Sequence, residues 1–269
     1  MSILKYPNKI AANEIDFVRD PRKSNTTRLF DDFLGGGQNT NGIAQFHALG
    51  STSGGVGNNS ASADTLEPTG FDSFGTLQAE TSSGGTARSI MHLAQLMDSS
   101  PADGDQWLWE VRVKPVLATG NGFWSMSILR SDSGDSYLNI DGIPKSNNRP
   151  RCSIWCDYDV NKWRSHISDS ESTANGTAAD TAIDFADSTY YRIAALVTYE
   201  SSGTKYDVKF YVDGVEAFNT ELAEGSGSPF GKCFLYNNGT TSAMSATYDW
   251  SLIQFKRTET VDYLDINDI

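Results

Sequence analysis

The sequence contains little cysteine, with three among 269 residues. An odd and low number argues against a fold held together by disulfides. Cys152 and Cys156 are four residues apart, which is about 13 Å along a strand and too far for a bond. A zinc site would need closer cysteine pairs and more histidine. We therefore expect Cys152, Cys156 and Cys233 to be buried free thiols.

Long apolar runs are missing as well. No stretch approaches the roughly 18 consecutive apolar residues of a membrane-spanning helix. The first 17 residues lack the apolar core of about 7–15 residues that marks a secretory signal. We therefore expect a protein that carries no secretion signal and is not inserted into a membrane.

Basic residues are outnumbered by acidic ones. The chain has 21 Lys and Arg against 34 Asp and Glu, which gives a formal net charge of −13. Such a surface repels phosphate backbones and anionic lipid headgroups. The charge therefore argues against nucleic acid as a partner.

Aromatic residues and glycine are abundant. The chain has 6 Trp, 11 Tyr, 13 Phe and 24 Gly. Disordered chains are poor in aromatic residues, so the aromatic content excludes global disorder. Many aromatic residues separated by polar, glycine-rich turns are typical of an all-β protein.

Alternating apolar and polar residues predict several strands. In the clearest, Gln106–Val116, every second residue from Trp107 to Val113 is apolar, which gives one apolar and one largely charged face. The other clear strands are Gly122–Arg130, Tyr191–Tyr199 and Ala246–Lys256. Many short strands with polar turns predict an antiparallel β-sandwich or jelly roll.

Two segments need separate arguments. Lys205–Phe218 predicts a β-hairpin, because Asp213-Gly214 supplies the two left-handed residues of a type I′ turn. Ala87–Met97 fits a helical pattern and an alternating one about equally. We predict a strand there because its neighbours in sequence are strands.

The N-terminal residues 1–27 differ from the rest of the chain. Their apolar residues occur singly and are mixed with basic ones, which predicts an extended arm, followed by a jelly-roll domain over residues 28–269. The arm would pack on its own domain or attach the protein to a larger assembly. Candidate assembly residues are Tyr6, Ile10, Phe17, Arg19 and Arg22.

Three segments together resemble a known family. Tyr190–Ile193 and Tyr206–Gly214 are similar to a hairpin of concanavalin A-like lectin and glucanase jelly rolls. Their order relative to Asp32–Gly36 resembles bacteriophage virion proteins built on that fold. The resemblance implies a capsid decoration or head-fibre subunit, or a tail-associated one, that works as a structural part of the virion. It also implies capsid or other virion proteins as partners, a homo-oligomer, and a location in the virion after assembly in the host cytoplasm.

An enzyme of the same fold is an alternative reading. Glucanases of this fold carry Glu-x-Asp-x-x-Glu on one strand, where two carboxylates act as nucleophile and acid/base, and this motif is absent. Glu110 and Arg112 only faintly resemble a catalytic strand of the lyases. The histidines His47, His92 and His166 stand in no recognisable nucleophile motif. We therefore predict that the chain is not an enzyme, and keep a polysaccharide-degrading enzyme as the weaker alternative.

A metal site has two candidate segments, one of them the acidic loop Asp132–Asp135. Asp157, Asp159 and Asn161 alternate like the first half of a calcium loop. An EF-hand is excluded, because Lys162 stands where that loop needs glycine and Ser168 where it needs glutamate. We predict no cofactor, with a looser calcium site as the alternative.

A glycan-binding surface is the other alternative function. Residues 155–166 combine aromatic rings with polar side chains, as lectins do where they stack sugars. The same rings would also fit packing in the core or at an interface. If the segment binds a host-surface glycan, the candidate residues are Trp155, Asp157, Tyr158, Asn161 and Trp163.

Overall fold

The structure is a computed structural model. It describes residues 26–31, 47–48, 66–68, 77–81, 86–93, 101–119, 122–129, 151–168, 177–203, 205–223, 230–238 and 242–258. Within these segments the chain forms strands and a short 3-10 turn, Ser201–Gly203. The strands are β1 Thr26–Asp31, β2 His47–Ala48, β3 Leu66–Pro68, β4 Leu77–Thr81, β5 Thr86–Leu93, β6 Gln106–Val116, β7 Phe123–Leu129, β8 Arg151–Asp157, β9 Lys162–Ser168, β10 Thr177–Asp184, β11 Tyr191–Glu200, β12 Lys205–Val212, β13 Val215–Ala223, β14 Phe230–Asn238 and β15 Met244–Lys256.

The strands form two antiparallel sheets. Sheet A has the order β13-β12-β11-β6-β15-β4-β3, and β1 also pairs with β15. Sheet B has the order β10-β9-β8-β7-β14-β5-β2. β15 is long enough to pair with β4 through its first half and with β1 through its second half. The predicted all-β antiparallel sandwich is confirmed.

The β12–β13 hairpin has the predicted turn. Val212 pairs with Val215 across two residues, and Asp213 and Gly214 have φ angles of 50° and 82°. Both angles lie in the left-handed region that a type I′ turn requires. The ambiguous segment near residue 90 is a strand, β5, as predicted, and its last four residues lie outside the described part.

The core lies between the sheets and is rich in tryptophan. β6 contributes Trp107, Trp109, Val111 and Val113 from one face, as its alternation predicts. Burial of this apolar surface supplies most of the stabilisation, at about 25 cal/mol per Å². Cys152, Cys156 and Cys233 are buried free thiols, as expected, and burial raises their pKa well above the ordinary value.

The predicted arm lies almost entirely outside the described residues. β1 begins at Thr26, and Tyr6, Ile10, Phe17, Arg19 and Arg22 come before it. Both the arm and its proposed role in assembly therefore stay predictions. In the described segments no helix is long and apolar enough to cross a membrane.

Candidate functional site

The strands of sheet B divide the candidate site residues between two faces. In β8, Cys152, Ile154 and Cys156 belong to the core. Side chains alternate along a strand, so Ser153, Trp155 and Asp157 lie on the opposite side. We call that side the outer face of sheet B. It also carries Phe123, Ser125 and Ser127 of β7 and Lys232, Phe234 and Tyr236 of β14, whose intervening residues point into the core.

Backbone register arranges this face in rungs that cross the strands. One rung runs through Phe234, Ser125, Trp155, Arg164 and Asp180. The next rung runs through Lys232, Ser127, Ser153 and His166, and these four side chains are buried. Directly opposed residues in antiparallel strands have neighbouring side chains. The outer face of sheet B therefore has three serines at its centre, Ser125, Ser127 and Ser153, which are bounded by aromatic and basic residues.

Arg164 links Trp155 to two carboxylates. Its guanidinium carbon lies 4.4 Å from the centre of the Trp155 ring. Its nitrogens lie 2.8 Å from Asp180 Oδ1 and 3.6 Å from Asp157 Oδ2. Cation–π attraction and the two ion pairs act together, so the guanidinium and the indole hold each other in one orientation. Arg164 is not among the predicted glycan-binding residues, because its place beside Trp155 depends on the pairing of β8 with β9.

Asp157 also holds the turn between β8 and β9. Its Oδ1 accepts a hydrogen bond of 2.7 Å from the backbone N–H of Val160. Burial raises the pKa of this carboxyl, and the hydrogen bond from Val160 and the charge of Arg164 act in the opposite direction. The side chain is thus a structural anchor beneath the hairpin tip.

The tip of the β8–β9 hairpin carries the exposed candidates. Tyr158 is 43% exposed, and Asp159 and Asn161 beside it are exposed as well. Among the described residues, Tyr158 shares this status of exposed large hydrophobic residue with Val215 alone. An exposed ring beside two oxygen-bearing side chains offers stacking and hydrogen bonds at one place.

Trp163 does not belong to this surface. It is 0% exposed and makes edge contacts with Trp124, Phe185 and Tyr191 at centroid distances of 5.9, 5.5 and 5.2 Å. Trp155 pairs with Arg164, so the residue before Arg164 points to the core. The prediction of Trp163 as a glycan-binding residue is therefore wrong.

Ser125 and Trp155 each carry a buried polar atom on the outer face of sheet B. Ser125 and Trp155 are register partners. Within the described part of the chain, Ser125 Oγ and Trp155 Nε1 are buried and have no hydrogen-bond partner. An unsatisfied buried polar group costs about 1–3 kcal/mol. A buried water molecule would supply bonds that these atoms lack.

Of the residues considered for catalysis, Glu110 lies in sheet A and the three histidines lie in sheet B. Glu110 is on the outer face of sheet A, where its Oε1 accepts a 2.7 Å hydrogen bond from Arg192 Nε. His166 is on the outer face of sheet B and is buried. His47 and His92 lie in β2 and β5, and His92 is opposite Lys232 in register. Within the described segments no group of three or more His, Cys, Asp or Glu residues is placed to hold a metal ion.

Comparisons with known proteins identify the fold. No protein-family model matches the chain, and the search of curated proteins finds no match. Among solved structures, the Emp47p carbohydrate recognition domain superposes with a TM-score of 0.53 at 15% identity, covering 88% of this chain and 98% of that domain. An endo-1,3-β-glucanase from Streptomyces sioyaensis gives 0.52 at 13% identity, with 87% and 98% covered. A protein of unknown function from Shewanella oneidensis MR-1 gives 0.51 at 15% identity, with 89% and 90% covered.

These likenesses define the class of fold. The chain has the concanavalin A-like lectin and glucanase jelly roll, as the resemblance implied. The prediction that the chain is not an enzyme is wrong as it was drawn, because this fold is shared by lectins and by enzymes such as the glucanase. None of the three structures bears on a virion, a capsid or an oligomer, so those predictions gain no support from them.

Proposed function

We propose that this protein binds carbohydrate at the tip of the β8–β9 hairpin. The observation that carries the proposal is the exposed ring of Tyr158 on the same hairpin tip as the exposed residues Asp159 and Asn161. The likeness to a carbohydrate recognition domain and to a glucanase supports the same class of ligand through the fold alone.

The chemistry of the tip suits a sugar. The apolar face of a pyranose packs on an aromatic ring, and its hydroxyl groups bond to carboxylate and amide groups. Tyr158 would supply the ring, while Asp159 accepts hydrogen bonds and Asn161 both donates and accepts them. A loop whose backbone is already held loses little entropy when a ligand binds.

The residues beneath the tip supply that rigidity. Asp157 accepts the Val160 N–H, and the backbone carbonyl of Asn161 accepts a 3.2 Å bond from the N–H of Phe185. Lys162 next to the tip forms an ion pair with Asp184. The hairpin is therefore tied both to its own strand and to the end of β10.

Substitution of Tyr158 tests the proposal. We expect Tyr158→Ala to weaken binding to the best ligand of a glycan array by about tenfold, since an aromatic contact contributes about 0.5–1.5 kcal/mol. Tyr158→Phe keeps the ring and should keep most of the affinity. The free energy of unfolding should change by less than about 0.5 kcal/mol, as is usual for an exposed position.

Val215→Ala is the matched control. Val215 is 58% exposed at the tip of the β12–β13 hairpin in the other sheet, so it removes exposed apolar surface away from the proposed site. An array without signal for the wild-type protein, or equal losses in Tyr158→Ala and Val215→Ala, would refute carbohydrate binding at this hairpin. A structural role in a phage particle stays a separate prediction. Co-sedimentation of particles with the full chain, and with a chain lacking residues 1–27, tests it.

A further inference from the structure

The outer face of sheet A carries a second polar cluster, on the opposite side of the sandwich from the β8–β9 hairpin. It is formed by Arg112 and Lys114 of β6, Tyr190 just before β11, and Asp249 of β15. The guanidinium carbon of Arg112 lies 4.3 Å from the centre of the Tyr190 ring, and Lys114 Nζ lies 5.2 Å from it. Two cations therefore share one aromatic ring.

The cluster has more positive than negative charge. Arg112 forms an ion pair with Asp249, whereas Lys114 has no ion pair with any residue that the structure describes. The neighbouring Arg192 faces a different carboxylate, that of Glu110. The two cations of the cluster thus have one carboxylate beside them, that of Asp249, which pairs with Arg112, in a chain whose formal net charge is −13.

A β-bulge places Asp249 in the cluster. Tyr248 pairs with Val113 and Trp250 pairs with Arg112, so Asp249 is an extra residue between them. Tyr248 belongs to the core, and Ser251 also faces it, since its Oγ accepts a hydrogen bond from Trp109 Nε1. Regular alternation places residues of one face an even number of positions apart, but these two are three apart. Bulges redirect side chains and are frequent beside functional sites.

The cluster is open to solvent. The Arg112 side chain is 38% exposed and that of Asp249 is 29% exposed, and Lys114, Tyr190 and Trp250 are half-buried. Burial and the charge of Asp249 raise the pKa of Tyr190, so its hydroxyl keeps its proton and can donate a hydrogen bond. Guanidinium, ammonium and phenol are all donors, and a ligand that satisfies them must offer acceptor oxygens.

We propose that this cluster is a second ligand site, which binds the carboxylate of an acidic saccharide unit. Arg112 and Lys114 would hold the carboxylate, with the hydroxyl of Tyr190 as a further donor. Half-buried Trp250, opposite Arg112 in register, gives the sugar ring an apolar surface. A short saccharide fits this site better than a long polyanion, which would also meet the net negative charge of the chain.

Two substitutions with opposite expected effects test the site. Titration calorimetry would compare digalacturonate with the neutral digalactose. Lys114→Gln should weaken digalacturonate binding about tenfold, because it removes a charge-assisted hydrogen bond. Asp249→Asn should strengthen it about threefold, because it removes a repelling carboxylate near the ligand. A purely structural cluster would not give opposite signs.

The controls separate this site from the hairpin. Lys209→Gln removes the same charge from another place in sheet A, on β12, and should leave binding unchanged. Tyr158→Ala should also leave it unchanged, so the two sites can fail independently. Four results would each overturn the proposal: no digalacturonate binding, equal binding of digalactose, weaker binding by Asp249→Asn, or equally tight binding of a tetraglutamate peptide.

Discussion

The outer faces of the two sheets use the same contact with opposite charge balance. On sheet B, Arg164 lies over Trp155 and is compensated by Asp157 and Asp180. On sheet A, Arg112 and Lys114 lie over Tyr190, and of these two cations only Arg112 pairs with a described carboxylate, that of Asp249. An arginine over an aromatic ring is therefore not a ligand site in itself. The number of nearby carboxylates decides whether the cation is already satisfied or still able to attract an anion.

The same difference bears on which groups a ligand can use. On sheet B the charged groups engage one another, and the exposed, uncharged ring of Tyr158 is the group offered to a partner. On sheet A the cations themselves are the groups on offer. We therefore infer a stacking contact for the hairpin and a charge contact for the cluster on sheet A.

The largest expected effect concerns the buried ion pair of sheet A. The Glu110 side chain is 3% exposed and faces Arg192. Glu110→Ala should lower the free energy of unfolding by about 1–3 kcal/mol, because the Arg192 guanidinium, which is 18% exposed, loses its carboxylate. Urea unfolding measures this. Glu110→Gln keeps an acceptor oxygen and should lower the free energy of unfolding by less. A decrease below about 1 kcal/mol for Glu110→Ala would mean that the pair behaves as a screened surface pair.

A smaller effect on the free energy of unfolding is expected at the serines of the outer face of sheet B. Ser125 Oγ is buried without a partner among the described residues, while Ser127 Oγ and Ser153 Oγ form a 2.7 Å hydrogen bond. Ser125→Ala should raise the free energy of unfolding by about 1 kcal/mol, and Ser127→Ala should lower it by about 1 kcal/mol. Chemical denaturation of both variants checks the signs. Equal losses would show that the Ser125 hydroxyl is already hydrogen-bonded, for instance to water.

How far the sequence predicts the molecule depends on how local the signal is. The β12–β13 hairpin could be predicted because its turn chemistry lies within Asp213-Gly214. The separation of Trp155 from Trp163 could not, because it depends on the register of β8 with β9 rather than on either strand alone. The bulge at Asp249 could not be predicted for a similar reason. Apolar and polar residues continue to alternate in the sequence there, although the bulge interrupts the pairing of the backbone.

The smallest expected effect is a pH dependence set by Asp157. Burial raises the pKa of this carboxyl above its ordinary value of 3.8, so the folded protein binds the proton more tightly than the unfolded chain. Its contribution to the free energy of unfolding is therefore most favourable below pH 3.8 and is lost as the pH rises through the folded pKa. Asp157→Asn keeps an acceptor for Val160 and removes this titration. The stability of the variant relative to wild type should rise with pH over that window, as measured by urea unfolding at several pH values. A relative stability that falls with pH would mean that the attraction of Arg164 outweighs the burial of Asp157.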